Sequence, residues 1–234
     1  MTSLFLVTSA IYTSYGKCST EERIEQTKET IKSIETYAPD STIVLLDAGE
    51  KSVDIDFGVE LIDYTQKQIT KEPLDYYLSN NKDLEPDIII KSMLEIIMFG
   101  DYLNTHSISS YERVFKLSGR YRLNSKFNYN KHLESRNKVL ILPPYHSQHL
   151  YNTKVSSSMF QYMTRFWSFD SSLVSNILKT YGKMKRDIIL ASKTERQGDI
   201  EHLLYKHLDK RLVEHIEIMG VEGYWAPLRL WIEE

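Results

Sequence analysis

The stretch Ser41–Gly49, STIVLLDAG, decides the fold. Ile43, Val44, Leu45 and Leu46 follow one another without a polar residue between them. A strand with one wet face alternates. A continuous apolar run belongs to a strand covered on both sides, as in a parallel sheet flanked by helices. Upstream, SLFLVTSAIYT (Ser3–Thr13) has the same apolar, β-branched character and reads as the first strand. Between the two lies a helix, with Ile24, Thr27, Ile31, Ile34 and Ala38 on one face. Ser19 or Thr20 can cap its start, acidic residues fill its first turn, and Pro39 stops it. Strand, helix, strand is the opening of a doubly wound parallel sheet.

GVELIDYT (Gly58–Thr65) continues as a short third strand. In Glu85–Asn104 apolar residues surround the helix, which places it deep in the structure with Lys91 inside it. YERVFKLSGRYRL (Tyr111–Leu123) reads as the fourth strand with its turn, and NKVLILPPY as a fifth, ended by two prolines. The segment from His146 to Asp170 is polar and aromatic with no clear period. Two amphipathic helices follow, one from Asp170 or Ser171 as its cap, one over Gly198–Leu212. The tail from Val213 reads as a strand plus an extended aromatic segment. The expected architecture is one α/β domain over residues 1–234, a mostly parallel central sheet flanked by helices, with its second half elaborated.

The chain has 234 residues, a formal net charge of −3 and a single cysteine, Cys18. It can form no internal disulfide and no cysteine-based metal site, which fits a reducing cytoplasm. No apolar run is long enough to span a bilayer. The N-terminus lacks the basic lead of a signal peptide, so the expected location is cytoplasmic, without a membrane partner. The slight negative charge argues against a bulk nucleic-acid binder but leaves a local cationic groove open.

Ligands of such sheets gather at the carboxyl ends of the strands. Thr8, Ser9, Asp47 and the Ser118-Gly119 turn share that rim. Arg120 and Arg122 flank Tyr121 just beyond it. A guanidinium fork matches a phosphate, and also matches a surface carboxylate. Strand alternation sends the two arginines to opposite sides unless the turn at Gly119 bends the chain. Tyr121 can stack on a base or sugar. Asp47 can accept from a ribose or cap its own turn. Lys91 can bind a phosphate or extend its amine to the surface. Asp199 and Glu201 open a helix, where the dipole favours carboxylates in any protein; one of them facing the rim would be a base. Arg165 and Trp167, with Tyr224 and Trp225, set aromatic faces beside polar groups, which suits sugars and suits a core equally. Glycine-rich phosphate loops and H-E-x-x-H are absent. His146 and His149 read as surface histidines, and Asp54 with Asp56 makes a weak metal pair.

The order strand, helix, IVLLDAG, helix, VFKLSGRYRL, then TRFWSF, DIEHLLYKHL and GYWAP resembles nucleotide-sugar glycosyltransferases of the GT-A type. It is most similar to small variants from phages and bacterial surface-polysaccharide loci. The resemblance implies a hexosyl- or pentosyltransferase with a nucleoside-diphosphate sugar, UDP-sugar favoured, lying across the rim. It implies a nucleotide-sugar half over residues 1–123 and an acceptor half over 124–234. Thr8, Ser9, Asp47, Lys91, Ser118, Gly119, Arg120, Tyr121 and Arg122 would bind the donor, with Asp47 on the nucleoside. Arg165, Trp167, His202, Tyr224 and Trp225 would meet the acceptor, with Glu201 or Asp199 as the base.

In that family a D-x-D motif after the fourth strand commonly holds a divalent metal on the diphosphate. Here Ser118-Gly119-Arg120 stands in its place. The resemblance then implies that Arg120 or Arg122 takes over the metal's role. No residue is assigned as a metal ligand, and a need for Mn²⁺ or Mg²⁺ is left open. The acceptor that the resemblance implies is a surface saccharide or 5-hydroxymethylcytosine in phage DNA. For DNA, Lys179, Lys183, Lys185, Arg186, Lys193 and Arg196 form a basic cluster suited to a phosphate backbone, or simply a solvated helix end. The alternatives are a nucleotidyltransferase and a non-catalytic nucleotide- or glycan-binding module.

Overall fold

The computed structural model describes residues 2–14, 17–80, 87–147, 157–194, 198–225 and 230–234, without the side chains of Asp87, Ile88 and Trp225. It is a mixed α/β structure with a mostly parallel sheet flanked by helices. The first strand, β1 (Thr2–Ser9), is followed by α1 (Thr20–Tyr37), β2 (Thr42–Asp47) and β3 (Glu60–Asp63). Helices α2 (Gln68–Asn80) and α3 (Asp87–Thr105) lead into β4 (Tyr111–Ser118) and β5 (Tyr121–Leu123). Then come α4 (Tyr129–Glu134), β6 (Val139–Ile141), β7 (Tyr145–His146), β8 (Phe160–Gln161) and β9 (Phe166–Asp170). The chain continues through α5 (Val174–Lys193), α6 (Ile200–His207), β10 (Val213–His215), β11 (Val221–Trp225) and β12 (Leu230–Glu233).

Seven strands form the main sheet in the order β10-β6-β9-β4-β1-β2-β3. β1 pairs in parallel with β2 on one side and β4 on the other, so the winding reverses at β1. The crevice between the ends of β1 and β4 is therefore the place where such sheets bind ligands. β9 runs antiparallel between β4 and β6. The Phe166–Asp170 stretch, without a clear period in the sequence, is thus a central strand whose five residues are all buried. The tail from Val213 makes three strands rather than one: β10 joins the main sheet beside β6, and β11 and β12 form an antiparallel pair that β5 joins in a separate sheet.

Alternation along the strands splits the core between the two faces. Leu4, Leu6, Val44, Leu46, Val114 and Trp167 pack with residues of α3, α5 and α6. Phe5, Val7, Leu45, Phe115 and Leu117 pack with Ile34 and Ala38 of α1 and with Tyr121 and Leu123 of β5. Phe5 and Phe115 stack with ring centroids 4.3 Å apart. α1 opens with a capping box: the Ser19 hydroxyl accepts from the Glu22 N–H at 3.2 Å, and the Glu22 carboxylate accepts from the Ser19 N–H at 2.6 Å. No helix among the described residues is long and apolar enough to cross a membrane.

Candidate active site

A cleft open to solvent lies over the β1–β4 crevice. Thr8 and Ser9 at the end of β1 and Ser118, Gly119 and Arg120 after β4 form one side. Lys91, Leu94, Glu95 and Met98 of α3 form the wall, and Arg23 and Thr27 of α1 also line the cleft, with the Thr27 hydroxyl donating to the Gly119 carbonyl at 3.3 Å. Six residues expected at a donor site, Thr8, Ser9, Lys91, Ser118, Gly119 and Arg120, thus line one cleft.

Gly119 is there for space. Its N–H donates to the Thr8 carbonyl at 2.9 Å, and a Cβ would meet the Thr27 hydroxyl at 3.2 Å and the Ser9 Cβ at 3.3 Å. The turn delivers Arg120 to the cleft half-buried, with no hydrogen bond or ion pair to any other described residue. Arg23 is 7% exposed, and its guanidinium donates to the Cys18 carbonyl at 3.3 Å and the Ala10 carbonyl at 3.5 Å. It fixes the β1–α1 loop beside the cleft. Nothing in the helical pattern of α1 marks it out.

Other expected donor residues sit elsewhere. Asp47 is fully buried; it accepts from the Ser9 hydroxyl at 2.5 Å and the Ile11 N–H at 2.9 Å. It shapes the loop above the cleft and does not itself line the cleft. Burial raises its carboxyl above the ordinary range. Tyr121 is 3% exposed under the Arg165 guanidinium, which lies 5.4 Å from its ring centroid, so it offers no free face to a base or sugar. Arg122 turns away from the cleft: it pairs with Glu222 at 2.8 Å and Glu29 at 3.4 Å, over the Trp231 ring. It lines a second, smaller concavity with Tyr224 and Trp231 that Arg120 also borders. The two arginines meet only at this smaller concavity; of the pair, Arg120 alone lines the cleft over the β1–β4 crevice.

The acceptor expectations divide in the same way. Trp167 is fully buried against Phe99, Phe169 and Tyr181, a core residue. His202 is fully buried, its Nδ1 facing the Asp199 oxygens at 2.7 and 2.9 Å. Neither can touch an acceptor. Arg165 is 8% exposed and paired with Glu234. The side chain of Trp225 and the whole of His149 and Arg196 lie outside the described residues. Asp199 caps α6 by accepting from the His202 N–H at 2.8 Å; with the imidazole on its other side, it is withdrawn from use as a base. Glu201 is different. It is half-buried, takes a hydrogen bond from the Thr164 hydroxyl at 3.0 Å, and is pushed up to about 7 by burial and by the charges of Asp199 and Glu95.

No group of three or more His, Cys, Asp or Glu side chains that could hold a metal ion exists among the described residues. Where the resemblance leads one to look for carboxylates, the turn offers a hydroxyl, a glycine and a guanidinium. That set does not fit a divalent cation, which a guanidinium repels.

No family model and no curated protein matches the sequence. Solved structures do. Galactosyltransferase LgtC, in complex with donor and acceptor sugar analogues, superposes with a TM-score of 0.55 at 13% identity over 91% of this chain and 72% of its own. Core-mannan synthase A (CmsA/Ktr4) from Aspergillus fumigatus, in a Mn/GDP form, gives 0.54 at 9% identity over 95% and 74%. The mannosyltransferase Ktr4p from S. cerevisiae gives 0.56 at 11% identity over 92% and 68%. The fold is that of GT-A glycosyltransferases.

Proposed function

We propose that the protein transfers a sugar from a nucleoside-diphosphate donor to an acceptor hydroxyl, with Arg120 neutralising the departing diphosphate. The observation that carries this reading is the half-buried guanidinium of Arg120, in the cleft at the turn after β4, with no carboxylate partner among the described residues. The fold shared with LgtC and the two Ktr4 proteins supports it. In the reaction the bond from the anomeric carbon to the diphosphate oxygen breaks, and its electron pair leaves with the diphosphate. The acceptor oxygen bonds to that carbon, and its proton passes to a base. Preorganised cations aimed at the developing charge contribute several kcal/mol of transition-state stabilisation. Glu201 is the candidate base. It does not line the cleft, but it takes the hydrogen bond of Thr164, whose carbonyl accepts from the Lys116 ammonium that pairs with Glu95 of the cleft wall. An affinity near neutral pH lets it accept a proton and release it again. A saccharide acceptor is favoured over DNA. The basic cluster Lys179, Lys183, Lys185, Arg186 and Lys193 belongs to α5 and lines none of the cleft.

Incubation with a panel of UDP-, GDP-, CDP- and dTDP-sugars should release nucleoside diphosphate from at least one, at the same rate with and without EDTA. Failure to turn over or bind any of them overturns the reading. Loss of activity in EDTA overturns the role given to Arg120.

A further inference from the structure

α3 turns two side chains of opposite sign into the cleft. Lys91 and Glu95 are four residues apart, on one helical face, and both line the wall. Because α3 leads into the start of β4, its N-terminal end lies at the rim; Lys91 is nearer the mouth and Glu95 a turn deeper. The Glu95 side chain is 21% exposed and holds the ammonium of Lys116 at 2.5 Å, a lysine only 1% exposed in the middle of a central strand. Lys116 also donates to the Thr164 carbonyl at 2.7 Å.

Burying an ion pair is not a route to stability, since apolar side chains of similar volume usually serve as well or better. What Lys116 provides is a fixed, charge-compensated carboxylate on the wall of the cleft. A carboxylate accepts hydrogen bonds and donates none. It therefore favours hydroxyl groups and repels phosphate. The cleft thus sets the cations of Lys91 and Arg120 and the acceptor Glu95 among apolar residues such as Ile90, Leu94 and Met98.

We infer that Glu95, held by Lys116, recognises the transferred sugar by accepting hydrogen bonds from its hydroxyls while the diphosphate lies at Arg120. This rests on the cleft being the donor site. It names a specificity-determining residue that the sequence pattern hides, because a glutamate on an otherwise apolar helix reads as a solvated position.

The test is calorimetry of the wild type, Glu95→Gln, and the double variant Glu95→Leu/Lys116→Met with UDP, GDP, UDP-glucose, UDP-galactose and GDP-mannose. The double variant removes both charges together and keeps the core filled. Both variants should bind the free nucleoside diphosphate within about twofold of wild type and lose at least about tenfold in affinity for the matching sugar nucleotide. Unchanged affinity for the sugar nucleotide, or an equal loss for both ligands, overturns the inference. A wild type that binds none of the five overturns the donor-site reading and this inference with it, a failure seen before any variant is compared.

Discussion

Arg120 and Arg122 are two residues apart and have opposite fates. Arg122 meets two glutamates at the surface, while Arg120 enters the cleft without a partner among the described residues. The pattern Arg-Tyr-Arg is visible in the sequence; which arginine is free is not, because Glu222 is brought to Arg122 by the pairing of β11 with β5 from a hundred residues away. The same holds for Asp199 and Glu201. The cap at Asp199 is local, but the imidazole that also occupies it is there only once His202 is drawn into the core. Glu201 makes two testable statements. As a base it must be deprotonated, so kcat/KM of the wild type should rise about tenfold per pH unit below about 7 and level off above it, and Glu201→Gln should lose at least about a hundredfold in rate. The folded chain keeps this proton up to about pH 7, whereas the unfolded chain releases it near 4.5. Between those values the folded state binds more protons, so stability falls as pH rises through that window. Melting curves from pH 5 to 8 should show a shallower decline in Glu201→Gln than in wild type; parallel declines would remove Glu201 as the cause.

Among the elements, the parallel strands and their helices were legible and the antiparallel additions were not. Continuous apolar runs identify β1, β2 and β4, because both faces of those strands are covered. β9 is also covered on both faces, yet FWSFD mixes a serine and an aspartate into the run. The Ser168 hydroxyl is consumed inside, by the Arg113 guanidinium at 2.8 Å and His132 at 2.7 Å, a buried polar set that no periodicity shows. Pro73 similarly obscures α2, which continues through it. Two glycines test how these elements are held. Gly220 has φ +71°, and a Cβ there would lie 2.1 Å from the Phe127 nitrogen, so Gly220→Ala should destabilise by more than about 2 kcal/mol through the lost approach of the β11 strand. Gly182 lies within α5 with nothing within 4 Å of an added Cβ. Gly182→Ala should stabilise by about 0.5–1 kcal/mol. Chemical denaturation of both variants checks the pair; a neutral Gly220→Ala would contradict the packing described here.

Across the whole molecule, the sheet reversal at β1 sets the chemistry. It opens a crevice between β1 and β4, and α3 and α1 wall it with Lys91, Glu95 and Arg23. Strands from both sides of residue 123 share the main sheet, so the turn after β4 and the carboxylate on α6 are held by one framework. That framework is shared with LgtC, CmsA/Ktr4 and Ktr4p, while the residues at the turn are this chain's own. The decisive measurement is calorimetric titration of UDP, GDP, CDP and dTDP, in EDTA, into wild type, Arg120→Ala and Arg122→Ala. Wild type should bind at least one of them without a divalent ion, Arg120→Ala should bind it at least about tenfold more weakly, and Arg122→Ala should stay within about twofold. Equal affinity in wild type and Arg120→Ala, or binding only when Mn²⁺ is added, would contradict the assignment of the diphosphate to a guanidinium.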